Sequence, residues 1–287
     1  MKKIIIWLVI SGFVLSGCDD KVILPDDDFD VLVNISTSSL SDIKSAEMTD
    51  ESLITKYILY AVDGDNKVMK TFPSQSNPSL TGVKLSISKE VVSLYAIANP
   101  STEIESASPK TVSDLLNLTA SFATAPVSPF IMGGKGDVIG SNANIELIRA
   151  IAKVEVIAQN EFVIESVKVM KTPDQGYVFQ KQTISAPPTS TKVEYLEKTT
   201  NSTVYVAENS KDVPTEFFVK GKYLDKPTTY TIILKIDGAA IDIERNTYYK
   251  VGISALTEFE CAITISIPAW SDKPTDPHII PDDDFDS

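Results

Sequence analysis

Apolar and polar positions alternate with a period of two along most of this chain. Val31, Val33 and Ile35 share one face, with Asn34 and Ser36 on the other, and Val83, Leu85 and Ile87 alternate with Lys84, Ser86 and Ser88. That period belongs to a strand buried on one side. A longer alternation sets Ile148, Ala150, Ala152, Val154, Val156 and Ala158 against Arg149, Lys153 and Glu155, which predicts one long strand with Arg149 on its polar face. The apolar runs 57–62 and 91–98 are read as strands, and further strands are predicted at 162–170, 177–183, 203–207, 216–219, 229–236, 241–244, 249–255 and 261–267. Asp63-Gly64-Asp65-Asn66 and Asp237-Gly238 have hairpin-turn chemistry. Val112, Leu115, Leu116 and Leu118 have helical spacing behind a Thr111 or Ser113 cap, so one short helix is expected in an otherwise all-β chain. Short strands at this spacing, with turn residues between them, predict sandwiches.

Between Pro126 and Asn144 the chain carries Pro126, Pro129, Gly133, Gly134, Gly136, Gly140 and Asn142. Such punctuation predicts a connection between two domains, 18–144 and 145–267, with the boundary near Ile145. Met132-Gly133-Gly134-Lys135-Gly136 lacks the Gly-Lys-Ser/Thr ending of a phosphate loop, so it too is read as a plain loop. After Ile267 the tail 268–287 holds Pro268, Pro274, Pro277 and Pro281 and is expected to run extended, outside any central strand.

The front of the chain addresses its location. Lys2 and Lys3 precede an apolar run from Ile4 to Leu15, which is too short to span a bilayer and reads as a secretory signal. The run ends in Leu15-Ser16-Gly17-Cys18, which resembles the lipobox of bacterial lipoproteins, in which the chain is cut before the cysteine and the sulfur is acylated. That resemblance implies lipidation of Cys18, palmitate-type acylation and an N-terminal tether to the outer membrane. Asp19 and Asp20 add an acidic pair similar to a surface-export signal.

Loss of residues 1–17 leaves 270 residues, enough for two ordinary domains. With Lys2 and Lys3 gone, the 26 basic residues fall to 24 against 39 acidic, a net charge of −15 that excludes nucleic acid as a partner. Once Cys18 carries lipid, Cys261 has no partner for an internal disulfide. It alternates with Ile263, Ile265 and Ile267 and is predicted to be a buried strand residue.

One octapeptide brackets the body. Ile23-Leu24-Pro25-Asp26-Asp27-Asp28-Phe29-Asp30 returns as Ile279-Ile280-Pro281-Asp282-Asp283-Asp284-Phe285-Asp286, as if both ends were shaped by one receptor. Asp26, Asp27, Asp28 and Asp30 also offer four carboxylates to calcium, but the central Gly and terminal Glu of an EF-hand loop are missing, so a solvated acidic tail is the better reading.

Several short strings occur in a telling order: Tyr95-Ala96-Ile97-Ala98-Asn99-Pro100, Pro129-Phe130-Ile131-Met132-Gly133-Gly134, Ile148-Arg149-Ala150-Ile151-Ala152-Lys153-Val154, Tyr205-Val206-Ala207-Glu208-Asn209, Arg245-Asn246-Thr247-Tyr248-Tyr249 and Pro268-Ala269-Trp270. Behind a lipobox, this succession resembles the Bacteroidales fimbrillin family, the type V pilins. The resemblance implies two tandem transthyretin-like β-sandwiches and a subunit of a cell-surface fimbria that supports adhesion. It implies no cofactor and no metal, other fimbrial subunits as partners, and host or bacterial surface ligands as further candidates. In that family a trypsin-like protease removes an N-terminal strand, and a neighbour's C-terminal strand fills the groove, a form of β-augmentation. Under that scheme Ile279, Ile280 and Phe285 take pockets otherwise filled by Ile23, Leu24 and Phe29.

Two other classes compete. An enzyme lacks support: His278, the one histidine, lies in the proline-rich tail, which removes histidine triads, and one His with one free Cys cannot build an ordinary zinc site. A surface glycan-binding lipoprotein would use exposed aromatic platforms, and with Trp7 cut away only Trp270 is left among the tryptophans. Within the fimbrial reading, the first arginine of the chain is Arg149, so an arginine-specific protease has no site in the first domain. Either Lys21, Lys44 or Lys56 serves for cleavage, or the first strand is retained, as in an anchor subunit that keeps its lipid.

Overall fold

The computed structural model describes residues 28–37, 50–74, 76–195, 203–257, 259–268 and 270. Cys18, Ile23, Leu24, Ile279, Ile280 and Phe285 lie outside the described residues, as do Lys21 and Lys44. Among those described, the chain is nearly all β.

The first part contains β1 (Asp28–Thr37), β2 (Tyr57–Asp63), β3 (Val68–Pro73), β4 (Val83–Ser88), β5 (Val91–Ala98), β6 (Thr119–Ser121), β7 (Met132–Ile139) and β8 (Asn142–Arg149). Seven of them form one sheet in the order β3-β2-β5-β7-β8-β1-β4. The sheet folds on itself along β7 and β8, so that Val31, Val33, Ile35 and Ile87 from one leaf share a core with Leu59, Leu94 and Ile97 from the other. Glycine makes the fold possible. β7 and β8 pair at both ends but not between Gly133 and Val138. There a Cβ on Gly134 would lie 2.2 Å from the Glu146 carbonyl oxygen, and one on Gly136 would lie 2.2 Å from that of Asn144. The glycine-rich stretch is therefore strand, not the expected loop, because only glycine lets the two backbones approach so closely.

The second part contains β9 (Ile151–Gln159), β10 (Phe162–Met170), β11 (Thr172–Pro173), β12 (Gln175–Tyr177), β13 (Lys192–Val193), β14 (Thr203–Ala207), β15 (Glu216–Tyr223), β16 (Lys226–Ile232), β17 (Lys235–Ile236), β18 (Ala239–Ala240), β19 (Tyr248–Ala255) and β20 (Cys261–Ser266). A four-stranded sheet, β14-β9-β19-β20, and a three-stranded sheet, β10-β15-β16, bury Val154, Val156, Val169, Phe217, Val219, Ile232, Val251 and Ile253 in a second core. β12 pairs with β6 of the first part.

Several expectations change. The predicted boundary at Ile145 falls inside β8, which pairs with β1 and β7; the chain passes to the second sheet only at Ala150. The single long strand across 148–158 is two strands, with burial on odd positions in β8 and on even positions in β9. This slip at Ala150 turns Arg149 inwards. A second helix, α1 (Thr102–Ser106), precedes the predicted one, α2 (Val112–Leu116); Ser101 caps the first, and Thr111 and Asp114 form a capping box on the second. Of the strand expected at 177–183 only Tyr177, the last residue of β12, is strand, and 241–244 contributes one bridge, Asn209 to Ile243. Cys261 is half-buried, because β20 is an edge strand whose inward row is incompletely covered.

Candidate functional site: the β1 slot and the domain junction

β1 sits between two neighbours. It runs antiparallel to β4, from Asp28 opposite Ser88 to Val33 opposite Val83, and parallel to β8, from Leu32 opposite Asn142 to Thr37 opposite Leu147. Val31, Val33 and Ile35 point into the core and are essentially unexposed. Phe29, the predicted exchange residue that is described, pairs with Ile87 and packs, partly buried, against the same core. Of the aspartates considered for calcium, Asp30 pairs with Lys84 at 2.7 Å and Asp28 lies 3.8 Å from Lys70 and within hydrogen-bond reach of Ser86. Lysines thus face both carboxylates. The strand is tied to the body by its ladders and three apolar side chains, and it joins the rest through residues 38–49.

At the far end of that connection lies a polar cluster that sequence reasoning did not assemble. Arg149 is 0% exposed. Its Nε donates to the Glu51 carbonyl at 3.0 Å, Nη1 to Asn246 Oδ1 at 3.0 Å and Nη2 to Ser52 Oγ at 2.8 Å. The guanidinium lies 4.6 Å from the centre of the Trp270 ring, a cation–π stack. Trp270 is 3% exposed, lies nearly parallel to Tyr205 with 6.3 Å between ring centres, and donates its Nε1–H to Glu51 Oε2 at 2.8 Å. Lys153 Nζ reaches Glu51 Oε1 at 2.7 Å, and the Tyr205 hydroxyl donates to the same oxygen. Phe130 closes the cluster against Tyr205, 4.6 Å between ring centres.

Burial opposes ionisation of Glu51, but hydrogen bonds from Lys153, Tyr205 and Trp270 outweigh it and hold the carboxyl below its usual range. Burial, with the Glu51 carboxylate alongside, pushes the Tyr205 hydroxyl well above the ordinary phenol range, so it stays a donor. A carboxyl whose pKa is depressed by folding stabilises above its unfolded value and loses that contribution as pH falls through its folded one. Between about pH 5 and about pH 3, therefore, the melting temperature of the wild type should fall further than that of Glu51→Gln. Equal losses in the two proteins would show that Glu51 does not report on acid stability.

A second buried network lies beside it. Arg245 makes a bidentate contact with Glu208, at 3.0 and 3.1 Å, and donates to the carbonyls of Val178 at 3.0 Å and Tyr177 at 2.9 Å. Asn99, in the left-handed region at φ 51°, joins Thr55, Leu53 and Phe130 through its side chain. Each short string that carried the resemblance thus places a residue at this junction: Asn99, Phe130, Arg149, Tyr205, Glu208, Arg245, Asn246 and Trp270. Their shared role was hidden because the strings are far apart in sequence, and Glu51 and Ser52 belong to none of them.

No protein-family model matches the sequence, and a search of curated proteins finds no significant match. Solved structures do match. A candidate cell adhesion protein from Bacteroides eggerthii superposes with a TM-score of 0.62 at 14% identity, covering 84% of this chain and 96% of its own. The tip fimbrial protein Mfa3 from Porphyromonas gingivalis, with C-terminal truncation, gives 0.58 at 15% identity over 84% of this chain and 100% of its own. A fimbrial assembly protein from Parabacteroides distasonis gives 0.57 at 16%, over 84% and 98%. Over 84% of its length, this chain has the fold of these Bacteroidales fimbrial and adhesion proteins.

Proposed function

We propose that this chain is a structural subunit of a cell-surface fimbria. It is exported as a lipoprotein acylated at Cys18, held at the outer membrane, and assembled with other subunits by exchange of strands. The observation that carries the reading is the seat of β1: one strand at the chain's front, buried between β4 and β8, completes a sheet whose fold is shared with fimbrial proteins. Its removal opens a slot with two unpaired edges and three apolar pockets, which an incoming strand would satisfy. The segment Ile279, Ile280 and Phe285 is the donor on this reading, with Ile23, Leu24 and Phe29 its counterparts at the front. Binding of a surface glycan is less well supported, since Trp270, the tryptophan left for an aromatic platform, is buried at the junction.

Cells making the Cys18→Ala protein should lose surface fimbriae while releasing a folded, soluble body. Cells whose protein lacks residues 279–287 should keep the lipoprotein on the surface without polymers of it. Immunogold microscopy with intact-mass measurement reads both. Polymers of ordinary length from both strains would overturn the proposal.

One observation favours an anchor-type subunit within this reading. The chain has two arginines, and both Arg149 and Arg245 are buried at the junction, so the folded body presents no arginine to an arginine-specific protease. N-terminal sequencing of protein recovered from fimbriae separates the cases. An acylated Cys18 marks the anchor, and a start after a lysine ahead of β2 marks a stalk subunit.

A further inference from the structure

We infer that Trp270 is the fixed root of the C-terminal arm: its indole stays in the junction seat in free and assembled subunits alike, and only residues 271–287 cross to a neighbour. This rests on the strand-exchange reading above and makes it more specific, naming a positioning residue and the point at which the chain stops acting within its own subunit.

Three observations carry it. The first is the completeness of the seat. The indole is covered on one side by the Arg149 guanidinium at 4.6 Å, stacked near Tyr205, and its single polar atom is satisfied by Glu51 at 2.8 Å. Withdrawing the ring would uncover a fully buried guanidinium and strip the Glu51 carboxylate of one donor, both unfavourable. The second is where the seat lies. Arg149, which stacks on Trp270, is the last residue of β8, two beyond Leu147, the partner of Thr37 at the end of β1. Trp270 therefore sits beside the end of the slot that β1 fills. The third is reach. Seventeen residues follow Trp270, and an extended chain spans about 3.3–3.6 Å per residue, so the arm can extend roughly 55–60 Å. A ten-residue strand such as β1 needs about 33 Å of that. The indole need not leave its seat for a neighbour's slot to be filled.

The mature chain carries one tryptophan, since Trp7 precedes Cys18, so tryptophan fluorescence, excited beyond the tyrosine band, reports on this seat alone. The test compares the mature wild type, free and polymerised, with a chain ending at Trp270 and with the Trp270→Ala and Trp270→Phe variants. Emission should be blue-shifted and shielded from acrylamide in free subunits, unchanged on polymerisation, and unchanged in the chain ending at Trp270, which should not polymerise. Trp270→Ala should slow polymerisation at least tenfold while circular dichroism shows a folded subunit. Trp270→Phe, which keeps an aromatic ring in the seat but loses the Glu51 hydrogen bond, should recover a large part of the rate. Exposure of the tryptophan on polymerisation would overturn the root while leaving strand exchange intact. Normal polymers from the chain ending at Trp270 would overturn strand exchange and the root with it. If Trp270→Ala does not fold, the quenching comparison on the wild type still decides.

Discussion

Detaching β1 should lower the melting temperature of the subunit by more than about 10 °C, and a peptide spanning residues 28–37 should restore most of it. The expectation comes from what the strand buries. Val31 and Val33 are 0% exposed and Ile35 is 3% exposed, and full burial of such side chains contributes about 1.5–3 kcal/mol each, or about 5–9 kcal/mol as an upper bound. Both edges of β1 are also hydrogen-bonded, so its loss leaves β4 and β8 with unpaired backbone groups facing a groove. For a chain of this size each kcal/mol moves the midpoint by about 2–4 °C. A ligand that binds only the folded state restores stability in proportion to the logarithm of its concentration over its dissociation constant, so rescue by the peptide should be concentration-dependent. The experiment uses a protein with a specific protease site placed between residues 38 and 49, cut after folding and separated from the released strand. A melting temperature unchanged by cutting, or a peptide without effect, would show that β1 is an accessory strand and that the slot is not an acceptor.

The parts of this molecule that were legible in the sequence are those where one strand answers to one environment. β1 and β4 have apolar residues wherever the core needs them, so their period of two survives folding intact. β7 was illegible because its glycines are there to let β8 approach, a tertiary demand that looks locally like a turn-rich connection. An alternation carried straight through Ala150 puts Arg149 on the polar face, whereas the chain changes sheets there and the buried parity switches. A charged residue in a run of small apolar ones was the available signal, since a buried arginine requires several acceptors gathered from elsewhere. Those acceptors, Glu51, Ser52 and Asn246, lie about a hundred residues away in either direction. No spacing rule joins them. The short strings that carried the resemblance registered this junction without disclosing that it was one place.

Replacing Glu208 with alanine should destabilise the protein by about 3–5 kcal/mol, because it leaves the Arg245 charge buried without its counter-ion. The two side chains are only 2% and 6% exposed, so water cannot take over the lost contact without opening the junction. Arg245 would keep its hydrogen bonds to the carbonyls of Tyr177 and Val178, which satisfy donors but do not neutralise charge. Those carbonyls lie at and just after the end of β12, whose partner β6 belongs to the first part of the chain, and the Val178 amide donates to the Leu118 carbonyl. Loss of Glu208 should therefore loosen the seam between the two parts before it melts either core. In hydrogen exchange, amides at 119–122 and 175–178 should lose protection first, while β5 and β15 stay protected. Melting should fall by about 6–20 °C. The double variant Glu208→Ala, Arg245→Met removes the orphaned charge and should recover a large part of the loss, a non-additivity that a double-mutant cycle measures directly. A single-variant cost below about 1 kcal/mol, or a double variant as unstable as the sum of the singles, would show that the pair is not coupled as its geometry requires.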